Sequence, residues 1–298
     1  MTLQQLRYVT MVAETGTITE AANRLYISQP SLTNAIHELE KEMNIVIFNR
    51  TNKGISLSRE GEDFLGYARQ ILEQAAILED KYKGNGGGKK QYCVSTQHYS
   101  FAVNAFVDLI KEYGQDEYDF SLRETQPYEI IEDVARLRSE IGILFLNDFN
   151  EAVINKILKS YDLEFHQLYV AKPHVFISRK HPLAGKDRII NEELEEYPYL
   201  SFEQGEHNSF YFSEEVFAAV ERKKNIRVRD RATLFNLLIG LNGYTVCSGV
   251  IDKKLNGKDI IAVPLADEND MRIGYITHRK GMLSRLGNTY LEAIKKYL

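Results

Sequence analysis

Residues 17–41 read TITEAANRLYISQPSLTNAIHELEK, and the way this stretch breaks into two helices decides the N-terminal fold. Thr17, with Glu20 three residues on, has the spacing of a capping box, and Ala21, Ala22 and Leu25 follow at helical intervals. The pattern stops at Tyr26-Ile27 and restarts at Ser28, a second N-cap, with Pro30 in the first turn where its missing N–H has no partner to lose. On this second helix Leu32, Ala35, Ile36 and Leu39 share one side, while Pro30, Thr33, Asn34, His37 and Lys41 share the other. A solvated face is usually rich in Glu and Lys; this one carries short hydrogen-bonding side chains. Two short helices joined by a tight turn, the second showing such a face, form a helix-turn-helix pattern, whose second helix enters the DNA major groove. A surface helix of an ordinary bundle would share the periodicity.

The next stretch, NIVIFNRTNKGISLS over 44–58, narrows the choice. Two short apolar runs flank Arg50-Thr51-Asn52-Lys53-Gly54, which predicts a hairpin with a basic tip. A hairpin directly after a recognition helix is a wing, and Arg50 and Lys53 would lie where phosphates run.

From residue 3 to about 65 the sequence LxxLRYVTxVAETGTITEAANRLYISQPSLTNAIHELEKEMNIVIFNRTNKGISLSREGEDFL resembles, without a gap, the DNA-binding domain of LysR-type transcriptional regulators. The resemblance implies an α/β fold class with an N-terminal all-α winged helix-turn-helix, a long linker helix and a periplasmic-binding-protein-like effector domain of two subdomains. It also implies base readout by the early recognition helix, at Gln29, Pro30, Ser31, Thr33, Asn34 and His37. Many relatives carry Arg at the position of Asn34; Asn suits adenine N6/N7 instead of guanine.

Charge gives this reading little support. The net charge is −5, and residues 1–60 hold six Lys/Arg against six Asp/Glu, whereas DNA-binding domains are usually basic. Distribution compensates: Glu38, Glu40 and Glu42 gather at the C-terminal end of the recognition helix, and Arg50, Lys53 and Arg59 at the wing. Modest affinity per subunit is expected, so oligomerisation matters. No apolar run approaches a membrane span, and Met1-Thr2-Leu3-Gln4 opens directly into an amphipathic pattern, so a soluble, cytoplasmic protein with no membrane partner is expected. Cys93 and Cys247 lie far apart in strand-like runs without basic sequence neighbours, so they are expected to be reduced and buried, not a redox pair.

Leu3, Leu6, Val9 and Ala13 give a first helix one buried face. Ser58 caps a long helix over 59–83, whose first turn carries Glu60, Glu62 and Asp63 at the positive end of the helix dipole. Phe64, Ala68, Ile71, Ala75, Leu78 and Tyr82 recur along it at spacings of four and three, the seam of a helix that pairs with an identical partner. A homodimer is expected, and the resemblance extends this to a homotetramer formed through effector domains and to contact with RNA polymerase. The Gly-rich run over 84–90 is a hinge.

Beyond it strands and helices alternate: strands over 91–96, 120–124 and 141–146, with helices over 101–113 and 128–139, predict a mostly parallel sheet. A second series has strands over 174–178, 199–202, 226–229 and 244–250 and helices over 214–223 and 233–241; a strand over 272–277 and a helix over 284–298 close the chain. His181-Pro182-Leu183-Ala184 and GYTVCSGV over 243–250 resemble, more weakly, the LysR-type effector domain. The domain map is therefore 1–58 for the winged head, 59–83 for the linker, 84–90 for the hinge and 91–298 for the effector domain. Subdomain I takes about 91–162 and 268–298, subdomain II about 163–267.

Ser95, Thr96, Gln97, His98 and Tyr99 end the first strand and lead into a helix, the ligand position of an open α/β sheet, where free N–H groups and the helix dipole favour an anion. Thr125-Gln126 repeats the arrangement, and Ser201, Phe202 and Thr245 would face it from the second subdomain. A small anionic metabolite bound between the subdomains is the expected effector; plain turn and capping chemistry would use the same residues. Closing the cleft on that ligand is the expected switch. The rival classes are a hydrolytic enzyme and a solute-binding protein. Ser95 or Ser201 with His98 lacks a GxSxG elbow, and HExxH, GxGxxG, Walker and metal-spaced His/Cys patterns are absent from the sequence. No catalytic residue, metal or cofactor is expected.

Overall fold

In the computed structural model, which describes residues 1–51, 54–83, 90–113, 117–205, 209–216, 220–251, 258–267, 269–279 and 281–298, the N-terminal part opens with helix α1 (Leu3–Thr15), started by a complete capping box of Thr2 and Gln5. Gly16 ends it at φ +71°, a left-handed position that a residue without Cβ takes readily, its N–H bonded to the Val12 carbonyl. Helix α2 (Ile18–Arg24) is capped by Thr17 from the Glu20 N–H, but only half of the expected box forms, because the Glu20 carboxylate pairs with Arg24 at 3.0 Å. Helix α3 (Gln29–Met43) begins at Ser28, which accepts from the Ser31 N–H, and ends at the left-handed Asn44. Leu32 and Ile36 pack with Val12, Ala21 and Ala22; Leu39 packs with Val9, Ile47 and Leu65. Each such aliphatic side chain contributes roughly 1.5–3 kcal/mol on burial.

Strands β1 (Phe48–Thr51) and β2 (Gly54–Leu57) pair antiparallel, Phe48 opposite Leu57, as expected for a wing. Its tip, with Lys53, lies outside the described residues. Helix α4 (Arg59–Lys83) starts on Ser58, whose hydroxyl accepts from the Gly61 N–H at 2.8 Å and whose N–H donates to the Ile47 carbonyl at 2.9 Å. The approach is close enough that a Cβ at Gly61 would sit 2.0 Å from the Ile47 oxygen.

The effector part begins with β3 (Lys90–Thr96), α5 (Ser100–Tyr113), β4 (Tyr118–Glu124), α6 (Pro127–Ala135) and β5 (Ile141–Leu146). The hinge expected over 84–90 lies outside the described residues except for Lys90, which is already strand. The β5 run IGILFL is buried throughout, and its side chains alternate between two cores. Ile141, Ile143 and Phe145 meet α5, while Leu144 and Leu146 meet α6. Helix α7 (Glu151–Ser160) leads to β6 (Leu163–Ala171). The remaining elements are β7 (His174–Ser178), β8 (Tyr199–Phe202), β9 (Asn225–Val228), α8 (Arg231–Leu241), β10 (Tyr244–Cys247), β11 (Ile260–Pro264), β12 (Met271–His278) and α9 (Arg285–Ile294).

Three expectations are corrected. The sheets are mixed, not mostly parallel. In the order β4-β3-β5-β12-β6, β3 runs parallel to β4 and β5, but β12 runs antiparallel to β5 and β6. In β11-β7-β10-β8-β9, β8 is parallel to β9 and β10, and β7 is antiparallel to β10 and β11. Second, β6 does not open the second subdomain. It pairs along its length with β12 as an edge of the first sheet, so the chain crosses after Ala171 and returns after Pro264. Third, the described residues of 214–223 form no helix. A short 3-10 turn, Phe210–Phe212, precedes them, and the Glu215 carboxylate accepts from the Phe202 N–H at 2.7 Å and the Ser213 hydroxyl at 3.0 Å. Those bonds hold the segment along the end of β8, drawing inward two carboxylates that a surface helix would turn out.

Candidate functional site

The head and the effector part each carry a candidate surface. On α3, Gln29, Pro30, Ser31, Asn34 and His37 are exposed, at the helix start and along one side. Thr33 is half-buried, and its hydroxyl has no hydrogen-bond partner. The Ser31 hydroxyl lies 2.7 Å from that of Ser28, which shapes the first turn. Tyr26, in the turn before α3, is 95% exposed and held at φ +55°, a conformation that costs a bulky residue of order 1 kcal/mol. At the acidic end of α3, Glu38 and Glu42 are exposed and Glu40 is half-buried. The Glu40 carboxylate accepts from the Ile47 and Phe48 N–H groups at 2.8 and 3.1 Å, fixing the start of the wing, and Glu42 holds the N-terminal ammonium of Met1. Arg50 is on β1, as expected for a wing residue.

The α4 seam divides. Phe64 and Leu65 pack onto the head with Val9, Leu39 and Ile47, and Ala68 is buried. Further along, Ala75 is half-buried, while Ile71 and Leu78 are 39% and 60% exposed. The Tyr82 side chain lies outside the described residues.

In the effector part, the residues expected at the end of β3 separate into two groups. Ser95, Thr96 and Gln97 face inward to the protein's own polar groups. Ser95 donates to Asp133 at 2.6 Å and lies 2.8 Å from the Ser139 hydroxyl; Thr96 donates to the Gln97 carbonyl; Gln97 Oε1 accepts from the Phe145 N–H and the Tyr99 hydroxyl. Thr125 bonds Glu129, the Gln126 amide lies against Gly205, and Ser201 is buried in β8. His98, Tyr99, Phe202 and Thr245, by contrast, line a cavity together with Ser100, Glu214, Glu215, Arg231, Leu234, Phe235 and Ser248.

Two ion pairs cross this cavity from the first sheet to the second. The Glu214 carboxylate accepts from the His98 backbone N–H at 3.1 Å and lies 2.8 Å from Nδ1, while the imidazole stacks on Phe202 at 3.8 Å and 4°. Arg231, first residue of α8, pairs with Glu124 at the end of β4. Burial pulls the His98 imidazole down, but the charge and hydrogen bond of Glu214 outweigh it, and the net shift favours the cation. Glu215 is pushed up to about 8 by burial and then by the neighbouring Glu214 charge. Arg231 and Glu214 escaped the sequence reading: His98 and Glu214 are 116 residues apart, Glu124 and Arg231 107. The only local signal was Asp230, the N-cap of α8, which sets Arg231 at the helix start.

Cys93, 3.1 Å from the Ser139 hydroxyl, is in the first sheet and Cys247 in the second, both free, and burial raises both thiols. Among the described residues, no group of three or more His, Cys, Asp or Glu is arranged to hold a metal ion, and no helix is long and apolar enough to cross a membrane.

Two family profiles match. "Bacterial regulatory helix-turn-helix protein, lysR family" covers residues 3–62, and "LysR substrate binding domain" covers residues 93–298. The chain is 46% identical over 89 residues to the HTH-type transcriptional regulator ClcR of Pseudomonas putida, 30% of each chain. It is 29% identical over 206 residues to the uncharacterized HTH-type transcriptional regulator YnfL of Escherichia coli (strain K12), 67% of this chain and 65% of that one. These two matches span less than two thirds of the relatives' lengths. A third, with the RuBisCO operon transcriptional regulator of Allochromatium vinosum, is 25% identical over 290 residues, 94% of this chain and 91% of that one. A full-length OxyR variant from Pseudomonas aeruginosa superposes with a TM-score of 0.65 at 21% identity, over 99% of this chain and 95% of that one. CbnR, a LysR family transcriptional regulator, gives 0.55 at 18%, over 100% and 99%. At these identities the two structures speak for the fold alone.

Proposed function

The chain belongs to the lysR family of bacterial regulatory helix-turn-helix proteins, and we propose on that footing that it couples DNA affinity to a small molecule held between its two effector sheets. It is a transcriptional regulator, not an enzyme: one domain binds DNA and the other an effector. The start of α3 supplies base contacts through Gln29, Pro30, Ser31, Thr33, Asn34 and His37, while Arg50 and Lys53 of the wing meet phosphates. The exposed Ile71 and Leu78 favour pairing of two chains along α4. Assembly into a homotetramer and contact with RNA polymerase are part of the same proposal, carried over from the family resemblance.

The observation that carries the effector reading is the cavity crossed by the His98–Glu214 and Glu124–Arg231 pairs. Both pairs tie one sheet to the other, so whatever fills the cavity acts on how firmly the sheets are held together. Ligand and DNA must then change each other's affinity by the same factor, since coupling is reciprocal. His98, Tyr99, Phe202 and Thr245 serve as ligand contacts. Ser95, Thr96, Gln97, Thr125, Gln126 and Ser201 support the walls, because their polar groups are engaged or lie away from the lining.

A gel shift of the full chain on its own upstream DNA at fixed salt, against random DNA of equal length, tests the regulator reading. Sequence-specific retention is expected; equal retention of both DNAs refutes it. Calorimetry on the wild type and on Thr245→Val tests the cleft.

A further inference from the structure

We propose that the cleft is built for a small zwitterion, one ammonium and one carboxylate on a short skeleton, and not for the bare anion that the sequence suggested; this rests on reading the cleft as the effector site. The argument begins with the charges that line it. Each cation already faces a carboxylate: His98 faces Glu214 and Arg231 faces Glu124. Glu215 adds a hydrogen-bonded carboxyl that burial keeps largely protonated near neutrality. No cation of the lining is therefore free to take up a second negative charge. A bare anion entering would either break a buried pair or remain without a counter-charge, and both are costly away from water.

Two polar atoms on residues of this lining, Oε1 of Glu214 and Nε of Arg231, are closed off from solvent and have no hydrogen-bond partner. Glu214 is 7% exposed, and its other oxygen is taken by His98. Leaving such groups unmatched is unfavourable, so a guest that enters as the cleft opens and reaches them is favoured. The two demands are opposite in sense. A carboxylate oxygen needs a donor, best a charged one, and a guanidinium N–H needs an acceptor, best a carboxylate. One molecule carrying both answers both and adds no net charge.

Size limits the skeleton. The cavity is small, about 50 Å³, room for roughly three or four waters, and Phe176, Leu234, Phe235 and Val246 back it with apolar surface. A guest of alanine or serine size calls for the least opening of the cleft.

The test is a thermal-shift and calorimetric series on the full chain with L-alanine, L-serine, propionate, L-lactate and ethylamine as probes. The zwitterions should raise the melting temperature and bind at least about tenfold more tightly than propionate, L-lactate or ethylamine, a difference of about 1.4 kcal/mol. Glu214→Gln and Arg231→Gln should each erase that preference, and the wild-type series alone decides the matter if either variant fails to fold. Propionate binding as tightly as alanine, lost in Arg231→Gln but kept in Glu214→Gln, would overturn the zwitterion and leave the cleft reading standing. Amino-acid binding untouched by both substitutions would overturn the cleft reading itself. Failure of all five probes to bind overturns the proposed class.

Discussion

The start of α3 and the effector cavity treat polar side chains in opposite ways. On α3, Gln29, Asn34 and His37 point into solvent. Around the cavity His98 and Arg231 are each paired with a carboxylate, and Glu214 and Arg231 each keep one buried atom unmatched. A large outside partner such as DNA brings its own charges and water, so its reader stays exposed and is completed on contact. A small guest must be recognised without water, so its site is finished in advance and only a few atoms are left open. Exposure is a signature of the first kind of site and unmatched burial of the second.

The largest expected effect separates the two regions outright. Ile71→Asp with Leu78→Asp should prevent pairing along α4 and weaken DNA binding by about a hundredfold or more through lost avidity. The fold of the full-length variant, read by circular dichroism, should be unchanged. Sedimentation of the wild type as a monomer would remove the basis for this expectation.

A smaller effect tests the inward-facing region. The carboxyl of Glu215 sits at about 8 in the fold, against an ordinary value near 4.5, so the folded protein binds its proton more tightly than the unfolded chain. Stability from this group is full below about pH 4.5 and is lost as pH rises through 8. His98, also raised, acts in the same direction above its ordinary value. Glu215→Gln mimics the protonated acid: its oxygen still accepts from the Phe202 N–H, and its amide donates to the Ser213 hydroxyl in place of accepting from it. It should flatten the decline between pH 5 and 8 and leave the variant more stable than the wild type at pH 8. Melting curves that decline in parallel for variant and wild type would show that Glu215 is ionised in the fold.

The head was legible because its determinants are local. Thr17, Ser28 and Pro30 mark helix starts within a few residues of the apolar stripes they serve, and the wing follows in the same run. Even there, the complete capping box was at Thr2 and Gln5, where Gln did not stand out, while Glu20 was captured by Arg24. The cavity was half legible: strand ends identified His98 and Phe202, but Arg231 and Glu214 arrive from more than 100 residues away. The 214–223 segment has a helical pattern because its apolar residues recur; two buried carboxylates decide otherwise. Placing β6 needed β12, its partner, which follows a whole second sheet later.

On the outward-facing side, Asn34→Ala should cost about 1–3 kcal/mol on the specific site and little on random DNA, measured by competitive gel shift. Equal loss on both would assign Asn34 to phosphate contact. The smallest effect concerns Tyr26. Replacing it by Asn, which tolerates the left-handed turn, should stabilise the head by roughly 0.5–1 kcal/mol in urea melts. No gain would mean that the turn carries no strain.

The contact at Gly61 makes α4 a lever with a clamped end. With the Ile47 carbonyl where a Cβ would be, and Ser58 bonded to both segments, the first turn of α4 and the base of the wing have no play between them. Leu65 carries the same clamp into the packing of α1 and α3. A shaft of 25 residues is roughly 37 Å long. A tilt of about 5° about its far end therefore shifts the near end by roughly 3 Å, close to the spacing of one base pair along B-DNA at about 3.4 Å.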